Sequence, residues 1–360
     1  MEKQPSLYKK IVQDIQKLIK NNNFDYDTPI CTEKSLCEKY KVSRTTAKKA
    51  ILYLEEKRIL YRIRGIGSFV VKPGTKNALE RAFAMVIPYG HAQRGAFQVI
   101  ESANQVLFNL KHHFSIHTCH SDIHANAKLL ENLFNMHIDG LAYYLPSTEL
   151  PLETLSAFVK RKKPVIIMDK TAPYPEFSSI VCDNYRGGYL LTEHLLSYGH
   201  TQLCFLFQYD PHTYSSGWDR YQGYRDCLAA LNTAIEPRFF FWDVIGNESE
   251  NYYYSIKNAV KTLYQQGITA ILCEHDITAF NTYLCCQNMG IRIPEDISIT
   301  GFDNIEWATA ANAHITTIDQ NYSLIGKTLA ETLLAPNYKA KKHIIPIQLI
   351  PRASTGEVRR

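Results

Sequence analysis

The sequence predicts a small winged helix-turn-helix unit followed by a larger α/β unit built from two doubly wound parallel sheets. Three observations carry this. Positive charge is concentrated at the front: residues 1–72 hold 16 Lys and Arg against 8 Asp and Glu, whereas residues 73–360 hold 24 against 27. Within that basic front, two helical patterns meet at a tight turn and are followed by two short β-branched runs around Gly65 and Gly67. From Ala82 onward, strand-like and helix-like runs alternate, the pattern of parallel sheets covered on both faces.

Taking the elements in order, residues 6–21 read as a helix, because Leu7, Ile11, Ile15, Leu18 and Ile19 form one apolar stripe. Asn21-Asn22-Asn23 ends it. Past Pro29, Thr32 is placed to cap a short helix that holds Leu36 and stops near Tyr40. Ser43 caps the next helix, which turns Ala47, Ala50, Ile51 and Leu54 inward and Arg44, Thr45, Lys48 and Lys49 outward. Two helices on a tight turn, the second with small and cationic residues at its start, make a helix-turn-helix. Ile59 to Val71 reads as a two-stranded wing with arginines at its tip. Residues 1–72 are thus the DNA-binding unit, and 73–80, rich in chain breakers, a linker.

The body, residues 81–360, opens with strand 82–87, helix 97–110, strand 114–119, helix 127–134, strand 140–145 and helix 152–160. Strands 165–169 and 180–182 and helix 187–196 follow, and strands 203–207, 239–244, 270–273 and 297–300 supply the second lobe. The expected division is lobe 1 at about 81–196 plus 320–335, and lobe 2 at about 197–319 plus 336–360. Ligands of such sheets bind beyond the C-terminal ends of the strands. The last strand runs straight into Gly301-Phe302-Asp303, which sets a carboxylate at that mouth.

Composition excludes several classes. Hydrophobic content of 45% and charge of 21% are those of an ordinary soluble protein, no apolar run reaches the length of a membrane span, and Met-Glu-Lys-Gln-Pro begins no secretory signal. Nine cysteines without a Cys-x-x-Cys spacing suit a reducing, cytoplasmic setting. His112, His113, His117, His120 and His124 cluster in sequence, but on a strand His117 shares its face with Ser115 and Cys119, so no metal is expected. No Gly-x-Ser-x-Gly, P-loop or His-Glu-x-x-His occurs, so no catalytic residue and no cofactor are assigned.

Val42-Ser43-Arg44-Thr45-Thr46-Ala47-Lys48-Lys49-Ala50, with Gly65-Ile66-Gly67-Ser68-Phe69-Val70, resembles the winged helix of GntR-family regulators. That resemblance implies DNA contact by Lys34, Ser43, Arg44, Thr45, Thr46, Lys48, Arg64, Gly65 and Gly67, the last letting the wing approach the minor groove. Lys48 stands where the family usually has an arginine; without a bidentate fork it suits a phosphate better than a base. The body is similar to the effector domain of LacI/GalR repressors, a periplasmic-binding-protein-like fold. Its landmarks are Ile138-Asp139-Gly140-Leu141, Pro164 to Asp169, Val181 to Gly188, Arg220-Tyr221-Gln222-Gly223-Tyr224, Pro294 to Asp303 and Ile315 to Gln320. The combination is that of the arabinose-repressor-like subgroup of GntR proteins.

This second resemblance implies an effector cleft holding Arg220, Asp303 and Gln320, joined by Asp169, Ser216, His275 and Tyr322. Arg220 offers a fork to adjacent hydroxyls, Asp303, Asp169 and Asp183 offer acceptors, and Trp242, Trp218 or Phe97 offers a flat face for a sugar ring. Asp276 reads as a turn cap instead. The implied protein is a homodimeric repressor, released from a palindromic operator when a mono- or disaccharide fills the cleft. The alternative is a cytoplasmic sugar-binding protein of the transport-receptor fold, which the basic head disfavours.

Overall fold

The computed structural model describes residues 7–21, 24, 28–57, 59–63, 67–70, 80–88, 95–119, 122–144, 151–208, 210–230, 238–241, 249–336 and 338–358. It separates into two contact-dense units, Met1–Leu79 and Glu80–Arg360.

In the first unit, α1 (Leu7–Lys20) and α3 (Arg44–Glu56) pack together around Ile11, Ile15, Ala47, Ala50, Ile51 and Leu54, with Leu36 of α2 (Glu33–Tyr40) closing the core. The stripe predicted for α1 is rotated slightly: Val12 is buried and Leu7 exposed. Thr32 caps α2 by accepting from the Ser35 amide at 3.0 Å, while Ser35 returns a hydroxyl acceptor to the Thr32 amide, which satisfies two orphan donors at once. Lys41 makes the turn in the left-handed region at φ 49°, and Ser43 caps α3. The wing strands β1 (Leu60–Ile63) and β2 (Gly67–Val70) pair antiparallel. Arg64 and Gly65, expected at the wing tip, lie outside the described residues, as does most of the proposed linker.

The second unit contains two parallel sheets. The larger runs β13-β7-β6-β5-β3-β4, from strands β3 (Ala82–Pro88), β4 (His113–Cys119), β5 (Gly140–Tyr144), β6 (Val165–Met168), β7 (Ser178–Cys182) and β13 (Lys342–Ile345). The smaller runs β11-β10-β8-β9, from β8 (Leu203–Phe207), β9 (Phe239–Phe241), β10 (Ala270–Cys273) and β11 (Ser298–Thr300). Both faces of each are covered, as the apolar strands require: Val165 to Met168 and Ala270 to Cys273 are wholly buried.

The lobes divide differently from the expected boundaries. Helix α7 (Asn184–Ser197), placed with lobe 1 by its position in the chain, buries Leu191 and Leu195 against Leu203, Phe205 and Tyr224 of lobe 2. Residues 342–345, placed with lobe 2, pair with β7 of lobe 1. Among the described residues the chain therefore passes between lobes three times: after Cys182, before Tyr322 and after Ile345. Two of these passages are bound together, since β12 (Thr317–Asp319) pairs antiparallel with β14 (Gln348–Ile350). Strand β4 also begins one residue earlier than expected, so His113 shares the face of Ser115 and His117; its ring meets Glu80, and that of His117 meets Ser115. No three His, Cys, Asp or Glu side chains converge on a metal-sized site among the described residues.

Candidate functional site

At the C-terminal ends of both sheets, polar side chains from the two lobes are buried together. Arg220, on α8 (Ser215–Ala230), is 8% exposed and donates through Nε to Asn184 Oδ1 at 2.8 Å and through Nη1 to the Glu274 carbonyl. Its guanidinium lies 3.6 Å from the centroid of the Phe302 ring, a cation–π contact that fixes the plane of the fork. Burial alone would weaken its hold on the proton, but the carboxylates of Asp303 and Asp169 outweigh this and keep it cationic. Asp303 follows β11 with φ 123°, in the left-handed region, and its Oδ1 accepts from Gln320 Nε2 at 2.5 Å. Asp169 follows β6 with φ 69°, half-buried, across from Arg220. An interlobe hydrogen bond spans the same region, from the Thr171 amide to Ser215 Oγ at 3.1 Å.

The other expected residues sort differently. Tyr322, first in α11 (Tyr322–Leu334), is buried, and burial together with the Asp303 charge holds its phenol neutral. Ser216 is buried in the first turn of α8. His275 is a helix cap: its Nδ1 accepts from the Thr278 amide at the start of α10 (Asp276–Asn288), and its other nitrogen lies 3.3 Å from Glu274. Asp183 likewise caps α7 through the Arg186 amide. Trp218 is half-buried and tilts against His212 and Tyr221. Phe97 sits in the first turn of α4 (Ala96–Asn109) with 66% of its surface exposed. Trp242 lies outside the described residues. The buried Asp276 accepts from the Ile305 amide and the Thr317 hydroxyl, lashing two strand ends; burial and then the Asp303 charge push its carboxyl well above the usual range.

Three participants were missed. Asn184 orients Arg220, and Glu274 receives the Gln208 amide at 2.9 Å and the Tyr214 hydroxyl at 2.7 Å while its carbonyl takes the Arg220 fork. Glu274 had the same signal that selected Asp303, a carboxylate just past a β-strand. The third, Phe302, carried no polar signal.

In the head, Ser43 Oγ caps α3 by accepting from the Thr46 amide at 3.3 Å and also meets the Thr46 hydroxyl at 3.0 Å, while Thr45 and Lys48 lie on the exposed face. Lys34 is exposed on α2. Arg44, 86% exposed, meets Glu33 at 3.0 Å, and Glu33 also meets Arg62 of the wing at 3.3 Å. Gly67 has an internal reason to be glycine: a Cβ there would lie 2.6 Å from Pro29 Cβ, and φ is 153°.

Comparison with known proteins matches the two units separately. Residues 7–70 fit the family of bacterial regulatory proteins of the gntR type, and residues 192–355 fit the periplasmic binding protein-like domain. The HTH-type transcriptional repressor PurR of Aliivibrio salmonicida (strain LFI1238) is 31% identical over 239 residues, 65% of this chain and 68% of that one. The chain belongs to the GntR-family transcriptional regulators that carry a LacI-type effector domain. The arabinose metabolism transcriptional repressor of Geobacillus stearothermophilus is similar to this regulator along nearly its whole length, 23% identical over 92% of each chain. Among solved structures, a LacI family regulator from Enterococcus faecium with bound ribose superposes with TM-score 0.66 at 21% identity, covering 78% of the regulator and all of its own chain. A CelR–cellobiose complex gives 0.64 at 19%, over 87% and 92%. These two likenesses establish the fold. No helix among the regulator's described residues is long and apolar enough to cross a membrane.

Proposed function

We propose that this regulator is a cytoplasmic homodimeric repressor, released from a palindromic operator when a small sugar binds between its lobes. The observation that carries the reading is Arg220: a desolvated guanidinium stacked on Phe302, between Asp303 of one lobe and Asp169 of the other. A fork flanked by acceptors from both lobes suits a polyol, whose hydroxyls both donate and accept. The similar proteins with bound ribose and cellobiose support the same class. Binding shifts an equilibrium only if the ligand holds one lobe arrangement better than the other, and a ligand touching Asp169 and Asp303 together does so. The exposed Arg44, Thr45, Lys48 and Lys34 supply the phosphate and base contacts, with Gly67 of the wing and, from the sequence pattern alone, Arg64 and Gly65.

A thermal-shift screen of the full chain against mono- and disaccharides tests this. Ligand binding to the native state raises the midpoint by mass action, and the sugar that does so is expected to release operator DNA in a fluorescence-anisotropy titration. A protein stabilised by no sugar, or one whose stabilising sugar leaves the DNA bound, contradicts the reading.

A further inference from the structure

The same cleft carries information about the charge of its ligand, and the inference rests on the sugar reading above. The groups that converge there are unequal in sign. Among the described residues, Arg220 and Lys170 are the cations; Asp169, Asp303 and Glu274 are the carboxylates. Burial depresses the Lys170 ammonium, and the adjoining Asp169 carboxylate partly offsets this. Arg220 is committed as well: Nε is held by Asn184, Nη1 by the Glu274 carbonyl, and its field is shared by Asp303 and Asp169. What it still offers is Nη2, to which the described residues give no hydrogen-bond partner. Across from it, the Asp169 carboxylate has no hydrogen bond within the protein among the described residues.

Among the described residues the open valences are therefore one N–H edge and one carboxylate, and their charges lean negative. A hydroxyl satisfies both, accepting from Nη2 and donating to Asp169. A phosphate or carboxylate could take Nη2 but would set a second anion against Asp169 and Asp303 in a desolvated space. Like charges brought together there cost far more than one neutral hydrogen bond returns. The buried Asp276 next door makes the same point, for its carboxyl is driven towards the neutral form by burial and by the charge of Asp303.

We infer that the cleft selects an uncharged polyol and rejects the corresponding sugar phosphate or uronic acid. The effector is then an imported or hydrolysed free sugar, the form of a carbohydrate before a kinase acts on it. Asp169 is the residue that sets this selectivity, by pairing with a ligand hydroxyl and repelling an anion at the same position.

The experiment is calorimetric titration of the full-length protein with matched sets: each free sugar, its phosphates and its uronic acid. The expected result is binding of a neutral member with its charged partners at least about a hundredfold weaker. In Asp169→Asn the neutral sugar is expected to bind more weakly and the phosphate more tightly, so that the ratio narrows towards parity. A phosphorylated or carboxylated sugar that binds as well as its neutral partner overturns the inference while leaving the sugar reading standing. Binding by no member of any set overturns both. An Asp169→Asn variant that keeps the wild-type ratio refutes the role given to Asp169.

Discussion

Arg44 of the head and Arg220 of the body do opposite things with the same side chain. Arg44 is 86% exposed and leans on Glu33; Arg220 is 8% exposed, hydrogen-bonded on two edges and stacked on an aromatic ring. An exposed cation costs the fold nothing to keep and waits for a partner that brings its own negative charge. A buried cation must be neutralised from within, so its surroundings are already acidic before any ligand arrives. The head is thus built for a polyanion and the body for a ligand without charge.

The largest effect that tests this contrast is expected from Arg220→Ala. Removing the guanidinium strands Asp303 and Asp169 without their counter-charge, which in buried pairs costs about 3–5 kcal/mol. Tryptophan fluorescence during urea unfolding reads the body alone, because Trp218, Trp242 and Trp307 all lie there. Arg44→Ala is expected to abolish operator binding while changing stability by no more than about 0.5 kcal/mol. If both variants lose stability alike, the contrast fails.

Gly67→Ala comes next, at roughly 1–3 kcal/mol of head stability, because the added methyl overlaps Pro29. Hydrogen exchange at the amides of α3 measures it. Loss of operator affinity with unchanged exchange would return Gly67 to a purely DNA-facing role. Salt separates the regions further. Operator affinity is expected to fall by about 10³ or more between roughly 50 and 200 mM salt, while affinity for a neutral effector changes little over that range. A steep salt dependence of effector binding would show the cleft ligand to be charged.

The smallest effect is in pH. His200, buried against Thr269, Ser298 and the Gly356 carbonyl, and His194 beside Thr355 both have pKa values depressed by burial. As pH falls through about 6.5, the unfolded chain takes up protons before the folded one does. The body's stability is therefore full above that pH and declines down to the depressed folded-state values. The head has no histidine, since all 13 lie beyond residue 79. Urea midpoints at pH 7.5 and 5.5 should fall for the tryptophan signal only; an equal shift in head exchange rates would sink the assignment.

The head was legible because its signals are local. Caps at Thr32 and Ser43 act within three residues, and the inward face of α3 follows from helical spacing alone. In the body, strands such as Leu203–Phe207 and Ala270–Cys273 were read correctly from their apolar runs. What escaped was long-range. Nothing near residues 342–345 says that they pair with residues 179–182, and nothing in α7 says which lobe its leucines face. In the cleft, charge at a strand end identified Asp303. It left the structural roles of His275 and Asp183 indistinct, because a carboxylate or imidazole that caps a helix looks the same in sequence as one that faces a ligand.

The late return of the chain to lobe 1 gives protein synthesis an order of events. The head forms a compact unit of its own within the first 79 residues, so it can fold while the rest is still being made. The larger sheet lacks its edge until residues 342–345 emerge, and lobe 2 lacks the Thr355 partner of His194 and the Gly356 carbonyl that meets His200 until residues 355–356 follow. A message cut short near its end would then yield a finished winged head on a body that lacks its last strand pairing.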